Sequence, residues 1–362
     1  MHPNSNHKPF LGGYIISWMT SKSEDNHVHP THSGLPLSII LPVYNVEEYI
    51  RPCMESIFQQ GLDDTVFELI IVNDGSTDKS MEMIADIIDQ HHNITVINQQ
   101  NQGLSMARNN GMAKAKGEYL LMPDSDDLLV QHSVPYLLEK ALSSKADLVV
   151  ADYLMMKCDE MEHFSLDSVV QKDGTTVEKT GEQLFMQDLD PRHCYMWRTL
   201  FRRAFLEEQH IRFVPNICAQ DVPFTHECYL KAGKCLRVSW LLNVYRRNRT
   251  GAATASYSLK KGKDFSVAIA KTWELTKMDL PAAVKSKLSD NVYTSFCVNL
   301  WKLSLMESAA ERRQVMDFLK EQVPDLSFHN GIKQRVYSFL YHYMPYMLIN
   351  MRMVYGMLVK NR

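Results

Sequence analysis

The run Asp124-Ser125-Asp126-Asp127 puts three carboxylates within four residues, directly after the apolar stretch Glu118–Met122. Carboxylates at i and i+2 past a strand can offer hard oxygen ligands to one divalent cation, Mn2+ or Mg2+, and such an ion can offset the charge of a diphosphate. The same residues also suit a plain capped turn, because Asp at a strand end often caps the helix that follows. A second cluster, Asn73-Asp74-Gly75-Ser76-Thr77-Asp78, places Asp74 where its carboxylate can accept hydrogen bonds from a base or ribose. Gly75 belongs to the turn, and Thr77 or Asp78 can cap the next helix. A third, Asn101 to Gly111, offers Gly103 for a sharp helix entry, the small Ala107 for close packing, and Arg108. The rigid donor fork of Arg108 fits a phosphate, or one of the nearby aspartates as a simple salt bridge.

These clusters need a scaffold that brings them together. Leu37–Val43, Phe67–Val72, Ile94–Ile97, Glu118–Met122 and Asp147–Ala151 are short apolar runs bounded by turn residues, and they read as strands. Between them Val46 to Phe58, Met81 to Ile88, residues 104–115 and 132–143 carry helical periodicity. Strands alternating with helices predict an α/β fold with a mostly parallel sheet covered on both faces. Ligands of such sheets sit outside the carboxyl ends of the strands, and all three polar clusters fall there. From Leu259 onward the sequence reads as helical throughout.

The chain has 362 residues, 45% hydrophobic and 22% charged, as expected of a protein that buries a core. A net charge of −3 gives no global field for nucleic acid, so no nucleic-acid partner is expected. The signs are unevenly spread. Arg192 to Arg249 holds eleven Lys/Arg against four Asp/Glu, and Leu326 to Arg362 holds five Lys/Arg and no acid. The seven cysteines are odd in number and none forms a Cys-x-x-Cys pair, which argues against a disulfide framework and a zinc ribbon. Residues 1–35 are rich in His, Ser, Asn and Pro and read as a disordered extension; Phe10 to Met19 is too short to span a bilayer. No dinucleotide fingerprint, Walker A loop or zincin motif occurs, and His226-Glu227 lacks a second histidine.

Pro42-Val-Tyr-Asn45, Val72-Asn-Asp-Gly-Ser-Thr-Asp78, Asn101-x-Gly-x-x-x-Ala-Arg-Asn109 and Asp124-Ser-Asp-Asp127 occur in order, and together they resemble the inverting family 2 glycosyltransferases of bacterial surface-polysaccharide type. The resemblance is tight over residues 37–152 and looser to about 252. It implies the GT-A fold, Rossmann-like, over residues 36–255, with a nucleotide-sugar half at 36–152 and an acceptor half at 153–255, followed by a helical region at 256–362. It implies that Pro42, Tyr44 and Asp74 help hold the nucleotide, and that Asp124 and Asp126 are the metal-binding pair. In Gln220-Asp221 it implies that Asp221 is the catalytic base, with Gln220 in place of the usual Glu. Tyr245-Arg-Arg-Asn-Arg-Thr-Gly251 looks like the family's basic loop, so Arg247 is expected on the diphosphate beside Arg108. The implied partners are a nucleotide-sugar donor, with uridine as the expected nucleoside, and a glycan or lipid-linked acceptor. A single base then suffices for one displacement with inversion. The competing reading is a nucleotide-binding module of the same fold that has lost transfer, or a nucleotidyltransferase.

In the tail, Ile332, Val336, Phe339, Leu340 and Tyr343 share one helical face. That face suits packing on the catalytic domain, an oligomer contact, or an anionic membrane surface, with Tyr337, Phe339, Tyr341, Tyr346, Met347 and Met351 entering the acyl boundary. The expected location is the cytoplasm, extending to the inner face of the cell membrane.

Overall fold

Every residue of Leu37–Val43 is buried, as its apolar sequence requires, and it forms the central strand β1. The computed structural model describes residues 34–161, 163–249 and 257–351, so the expectations for residues 1–33 and for the chain end beyond 351 lie outside the described residues. After β1 come α1 (Ile50–Phe58), β2 (Phe67–Asn73), α2 (Ala85–Gln90), β3 (Ile94–Asn98), α3 (Leu104–Lys114), β4 (Tyr119–Leu121), β5 (Leu128–Leu129), α4 (Ser133–Ser144) and β6 (Leu148–Lys157). Next are α5 (Cys158–Met161), β7 (Thr176–Thr180), α6 (Gly181–Gln187), β8 (Thr199–Arg202), α7 (Arg203–Glu208), α8 (Asp221–Lys231) and β9 (Lys234–Arg247). Four helices follow: α9 (Leu259–Glu274), α10 (Ala282–Ser304), α11 (Ala309–Gln322) and α12 (Ile332–Tyr343).

The strands form one sheet in the order β3-β2-β1-β4-β8-β6-β9-β5, with β7 also on β9. The pairs β3–β2, β2–β1 and β1–β4 are parallel, as the alternation of strands and helices predicts. Strand β8 then enters antiparallel between β4 and β6, and β6 runs parallel to the long β9. Period-2 alternation divides the core in two. Ile39, Leu41, Val43, Leu69 and Ile71 face α1 and α4. Ile40, Ile70 and Val72 face the other way, into a core shared with α3, α6 and α8. Helices therefore cover both faces.

That second core continues without a break into the helical region, through Phe265, Ile269, Leu288, Val292 and Phe296 to Tyr341. In α12 the Tyr341 hydroxyl donates to the Leu319 and Val323 carbonyls, and Ser338 Oγ bonds the Phe328 backbone. These bonds turn Tyr337, Leu340 and Tyr341 inward, so Tyr337 and Tyr341 are not the surface anchors expected of them. Ile332, Val336, Phe339 and Tyr343 point outward instead, with Ile332 83% and Tyr343 74% exposed.

Candidate active site

The loops at the carboxyl ends of β1 and β2 are laced together by polar side chains. Thr77 N donates to Asn45 Oδ1 at 2.9 Å, Glu47 N to Asp78 Oδ2 at 3.0 Å, and Lys79 N to Glu47 Oε2 at 2.8 Å. Asp78 thus joins two loops instead of capping the helix that follows, whose N-cap, Ile84, has no side-chain bond. Asp74, 3% exposed, accepts from Gln99 Nε2, Gln102 N and Gly103 N, each at 2.8 Å. Its carboxylate fixes the entry to α3, where Gly103 takes a φ of 81° that a side chain would strain. Pro42 pairs with Val72 inside the sheet, and Tyr44 stands at the rim, 47% exposed.

Arg108 projects from α3 and is almost wholly buried. Its guanidinium donates to the Asp124 carboxylate and lies 5.4 Å over the Phe213 ring, while its Nε has no partner. In this structure Arg108 is therefore the counter-ion of Asp124, the simpler of its two sequence readings. Asp126 is paired with Arg249. Asp127 Oδ1 accepts from Arg246 N at 2.8 Å, and its Oδ2 is buried with no partner. Oxygens of Asp124, Asp126 and Asp127 lie within 4.8 Å of one another. Burial pushes Asp124 up to about 6, opposed by Arg108 and helped by the charges of Asp126 and Asp221. Three hard oxygen donors, one of them an orphaned buried atom, fit a divalent cation, provided that Arg249 leaves Asp126.

Arg247 does not reach this turn; its Nη1 lies 3.3 Å from Met155 Sδ. Strand alternation sends Arg246 the other way. Arg246 Nε donates to the Asp126 carbonyl at 2.9 Å, and Arg246 and Arg249 lie over the same Tyr49 ring, at 4.9 and 5.4 Å. The two arginines that meet the aspartates are the neighbours of the one expected.

Asp221 opens α8, about a hundred residues along the chain from Asp124, yet Asp124 feels its charge. Burial raises the Asp221 carboxyl, and Arg108, its own helix N-terminus and Lys302 draw it back down. Beside it Gln220 is 3% exposed, and its Oε1 has no partner. One turn further, buried His226 locks α8 to the helical region. Its Nδ1–H donates to the Val222 carbonyl at 2.7 Å, and its Nε2 accepts from Asn291 Nδ2 of α10 at 3.1 Å. Acceptance at Nε2 requires the neutral ring, and burial lowers its pKa to about 4 against the bond to Val222, which favours the charged form. An unfolded histidine binds its proton near pH 6.5, so this residue's contribution is intact above that pH and is lost as pH falls toward 4. The loss should be on the order of 3 kcal/mol. Urea unfolding checks it: the stability advantage of wild type over His226→Gln should shrink between pH 7 and pH 4.5. A constant gap would remove the buried neutral histidine from the account.

Four rings complete the site. Tyr195 stacks on Trp197 at 4.8 Å, Tyr153 meets both edge-on, and Tyr245 leans on both. Burial and then the charge of Asp127 push Tyr245 up to about 12, while Tyr195 feels Asp221. The cluster therefore stands between the candidate base and the aspartate turn. Trp197 and Tyr245 lie in stretches that the resemblance marks, whereas Tyr153 and Tyr195 carry no signal of their own.

A sheet whose parallel half delivers an Asp-x-Asp turn, with Asp221 opening a helix of the second half, is the arrangement of the GT-A fold. Residues 38–208 match the model of glycosyl transferase family 2. Among relatives, the uncharacterized glycosyltransferase EpsJ of Bacillus subtilis is 33% identical over 225 residues, a match spanning 62% of this chain and 64% of EpsJ. Glycosyltransferase GlyG of Streptococcus pneumoniae is 25% identical over 308 residues, spanning 81% of this chain and 94% of GlyG. Among solved structures, residues 1–349 of S. aureus TarS in complex with UDP-GlcNAc share the fold with a TM-score of 0.69 at 20% identity, covering 89% of this chain and 92% of that one.

Proposed function

We propose that this protein moves a sugar from a uridine diphosphate sugar to a hydroxyl of a glycan or lipid-linked acceptor, in a single displacement with inversion, as a step of surface-polysaccharide synthesis. The observation that carries the reading is the cluster of Asp124, Asp126 and Asp127 at the strand end, bound by Arg108, whose charge also acts on Asp221. The UDP-GlcNAc bound in TarS favours uridine. Pro42, Tyr44 and Asp74 line the nucleotide side. Asp124 and Asp126 would hold Mn2+ or Mg2+, which when bound supplies positive charge to the departing diphosphate. Arg246 and Arg249 add fixed donors at the same place, and Arg247 lies beside them on the strand. Asp221 takes the proton of the acceptor hydroxyl as it attacks; burial, by raising its pKa, makes it a stronger base. A thermal-shift panel of nucleotides with manganese present tests the donor. UDP at 100 times its dissociation constant should add about 2.7 kcal/mol of stability. Preference for GDP, or no response to any nucleotide, would sink the uridine reading.

The site must also meet its acceptor. Among the described residues no helix is long and apolar enough to cross a membrane. The outward face of α12 continues into exposed Met344, Tyr346 and Met347, in a segment that carries five Lys/Arg and no acid. This face is proposed to dock on anionic headgroups at the inner face of the cell membrane, each nearby cation adding about 1 kcal/mol. Phe339→Ser is the suitable probe, because removing α12 whole would uncover the core that Tyr341 closes. Wild type should float with vesicles containing phosphatidylglycerol at low salt, and the variant should float less. Equal flotation, or none, would assign the face to a contact between copies of the chain.

A further inference from the structure

Three arginines meet the aspartate turn, and the fold holds them differently. Arg108 is fixed in the core: it lies on α3, is almost wholly buried, and donates to Asp124. Arg246 is fixed by the sheet. It lies in β9, where its backbone N–H donates to Asp127 Oδ1 at 2.8 Å and its Nε to the Asp126 carbonyl at 2.9 Å. Arg249 comes two residues after β9 ends, beyond Asn248, whose φ of 60° turns the chain out of the strand. Its Nε donates to Asp126 Oδ2, and its guanidinium lies 5.4 Å from the centre of the Tyr49 ring. Of the three, Arg249 is therefore the one whose backbone belongs to no strand or helix.

The carboxylate that Arg249 holds is one that a cation would need. Oxygens of Asp124, Asp126 and Asp127 lie within 4.8 Å of one another, and the buried Asp127 Oδ2 has no partner. While Asp126 Oδ2 is bonded to a guanidinium, the turn offers one hard oxygen fewer, and a second positive charge beside that guanidinium is repelled. Three arginines against three carboxylates also leave the turn no surplus negative charge with which to draw in a free cation. A diphosphate changes that balance, because it brings charge that a cation and a guanidinium can both meet. Arg246 lies 4.9 Å over the same Tyr49 ring as Arg249, so two like charges share one side of the turn. Once Asp126 is given up, Arg249 is better placed on a phosphate than beside Arg246.

We propose that Arg249 holds Asp126 against the free cation and releases it when a diphosphate arrives, so that cation and nucleotide bind together. The inference rests on the reading of the aspartate turn as the metal site, and it adds that the donor gates access to that site. Linkage makes the coupling reciprocal: the factor by which the cation tightens UDP binding is the factor by which UDP tightens binding of the cation. Arg249 opposes one ligand and assists the pair, so its loss has effects of opposite sign on the two, which a purely structural role would not produce.

The test titrates Mn2+ into the full chain and follows free Mn2+ by electron paramagnetic resonance, with and without saturating UDP. In wild type, UDP should tighten Mn2+ binding by about 100-fold. Arg249→Gln should bind Mn2+ about tenfold more tightly than wild type in the absence of UDP, yet bind UDP about tenfold more weakly with Mn2+ present. Arg249→Lys keeps a charge on the same tether without the donor fork and should fall between the two proteins in both measurements, which preserves the test if the neutral variant unfolds. Unchanged or weaker Mn2+ binding by the folded variants without UDP overturns the proposal, as does a wild-type Mn2+ affinity that UDP leaves unaltered. A wild type that binds UDP but takes up Mn2+ under neither condition overturns the metal reading and this inference with it.

Discussion

Asp221→Asn should lower turnover by about 100-fold or more and leave UDP affinity near its wild-type value. The substitution keeps the size of the side chain and its place at the start of α8, where the helix N-terminus already favours an acceptor oxygen. What it removes is the capacity to take a proton. Binding is spared because Asp221 stands across Arg108 from the aspartate turn and away from the loops that carry Pro42, Tyr44 and Asp74. The fold should survive as well: α8 is held by the His226–Asn291 bond and by Phe224 stacked on Phe213, neither of which involves the carboxylate. Single-turnover transfer and UDP calorimetry on the same preparation separate the two properties. Near-normal turnover would move the base to another group.

Chelation of divalent metal should weaken UDP binding by roughly 100-fold, and Asp126→Ala should do the same with metal present. The cause is visible in the charge balance of the turn. Asp124 is compensated by Arg108, and Asp126 by Arg249, while Asp127 keeps one buried oxygen without a partner. A diphosphate adds negative charge to a place that already holds three carboxylates. Arg108, Arg246 and Arg249 together do not outweigh that sum, and a bound divalent ion would offset the remainder. Calorimetry of UDP with manganese and with chelator decides it. Equal affinity in both conditions, or full affinity in Asp126→Ala, would mean that Arg246 and Arg249 serve the diphosphate unaided.

The parallel half of the fold was legible because its strands are short apolar runs, each followed by turn residues, and because local spacing places Asp74, Arg108 and Asp124 at strand ends or on the helix after them. Pairing between distant segments was not legible. Nothing near Thr199–Arg202 says that β8 enters antiparallel between β4 and β6, since its partners lie about eighty and fifty residues earlier in the chain. Strand phase explains the arginines: Arg246 and Arg247 have the same chemistry, and only the register of β9 on β6 decides which one meets Asp126. Spacing singles out Asp74 at a strand tip, but its three bonds to residues 99–103 come from a loop whose approach no spacing rule fixes. Helical periodicity grouped Ile332, Val336, Phe339 and Tyr343 on one face of α12 but wrongly added Leu340, which turns inward with Tyr337 and Tyr341, and it cannot say which side of a helix meets the core when tyrosines occupy both. Here the hydroxyl of Tyr341 decided, because a buried phenol needs partners and the Leu319 and Val323 carbonyls supplied them.

A chimaera that keeps the sheet of this protein and borrows the helices after residue 257 from a relative keeps one buried hydrogen bond only if the borrowed part supplies a donor at position 291. Asn291 is donated by the borrowed part and His226 by the resident one, and both are buried. An apolar residue in place of Asn291 would leave the imidazole Nε2 with no donor, at the far end of the helix turn that begins with Asp221. Exchange of acceptor preference between such enzymes therefore has to move α8 together with α9 and α10 as one cassette, with the joint placed in the sheet rather than at the start of the helices.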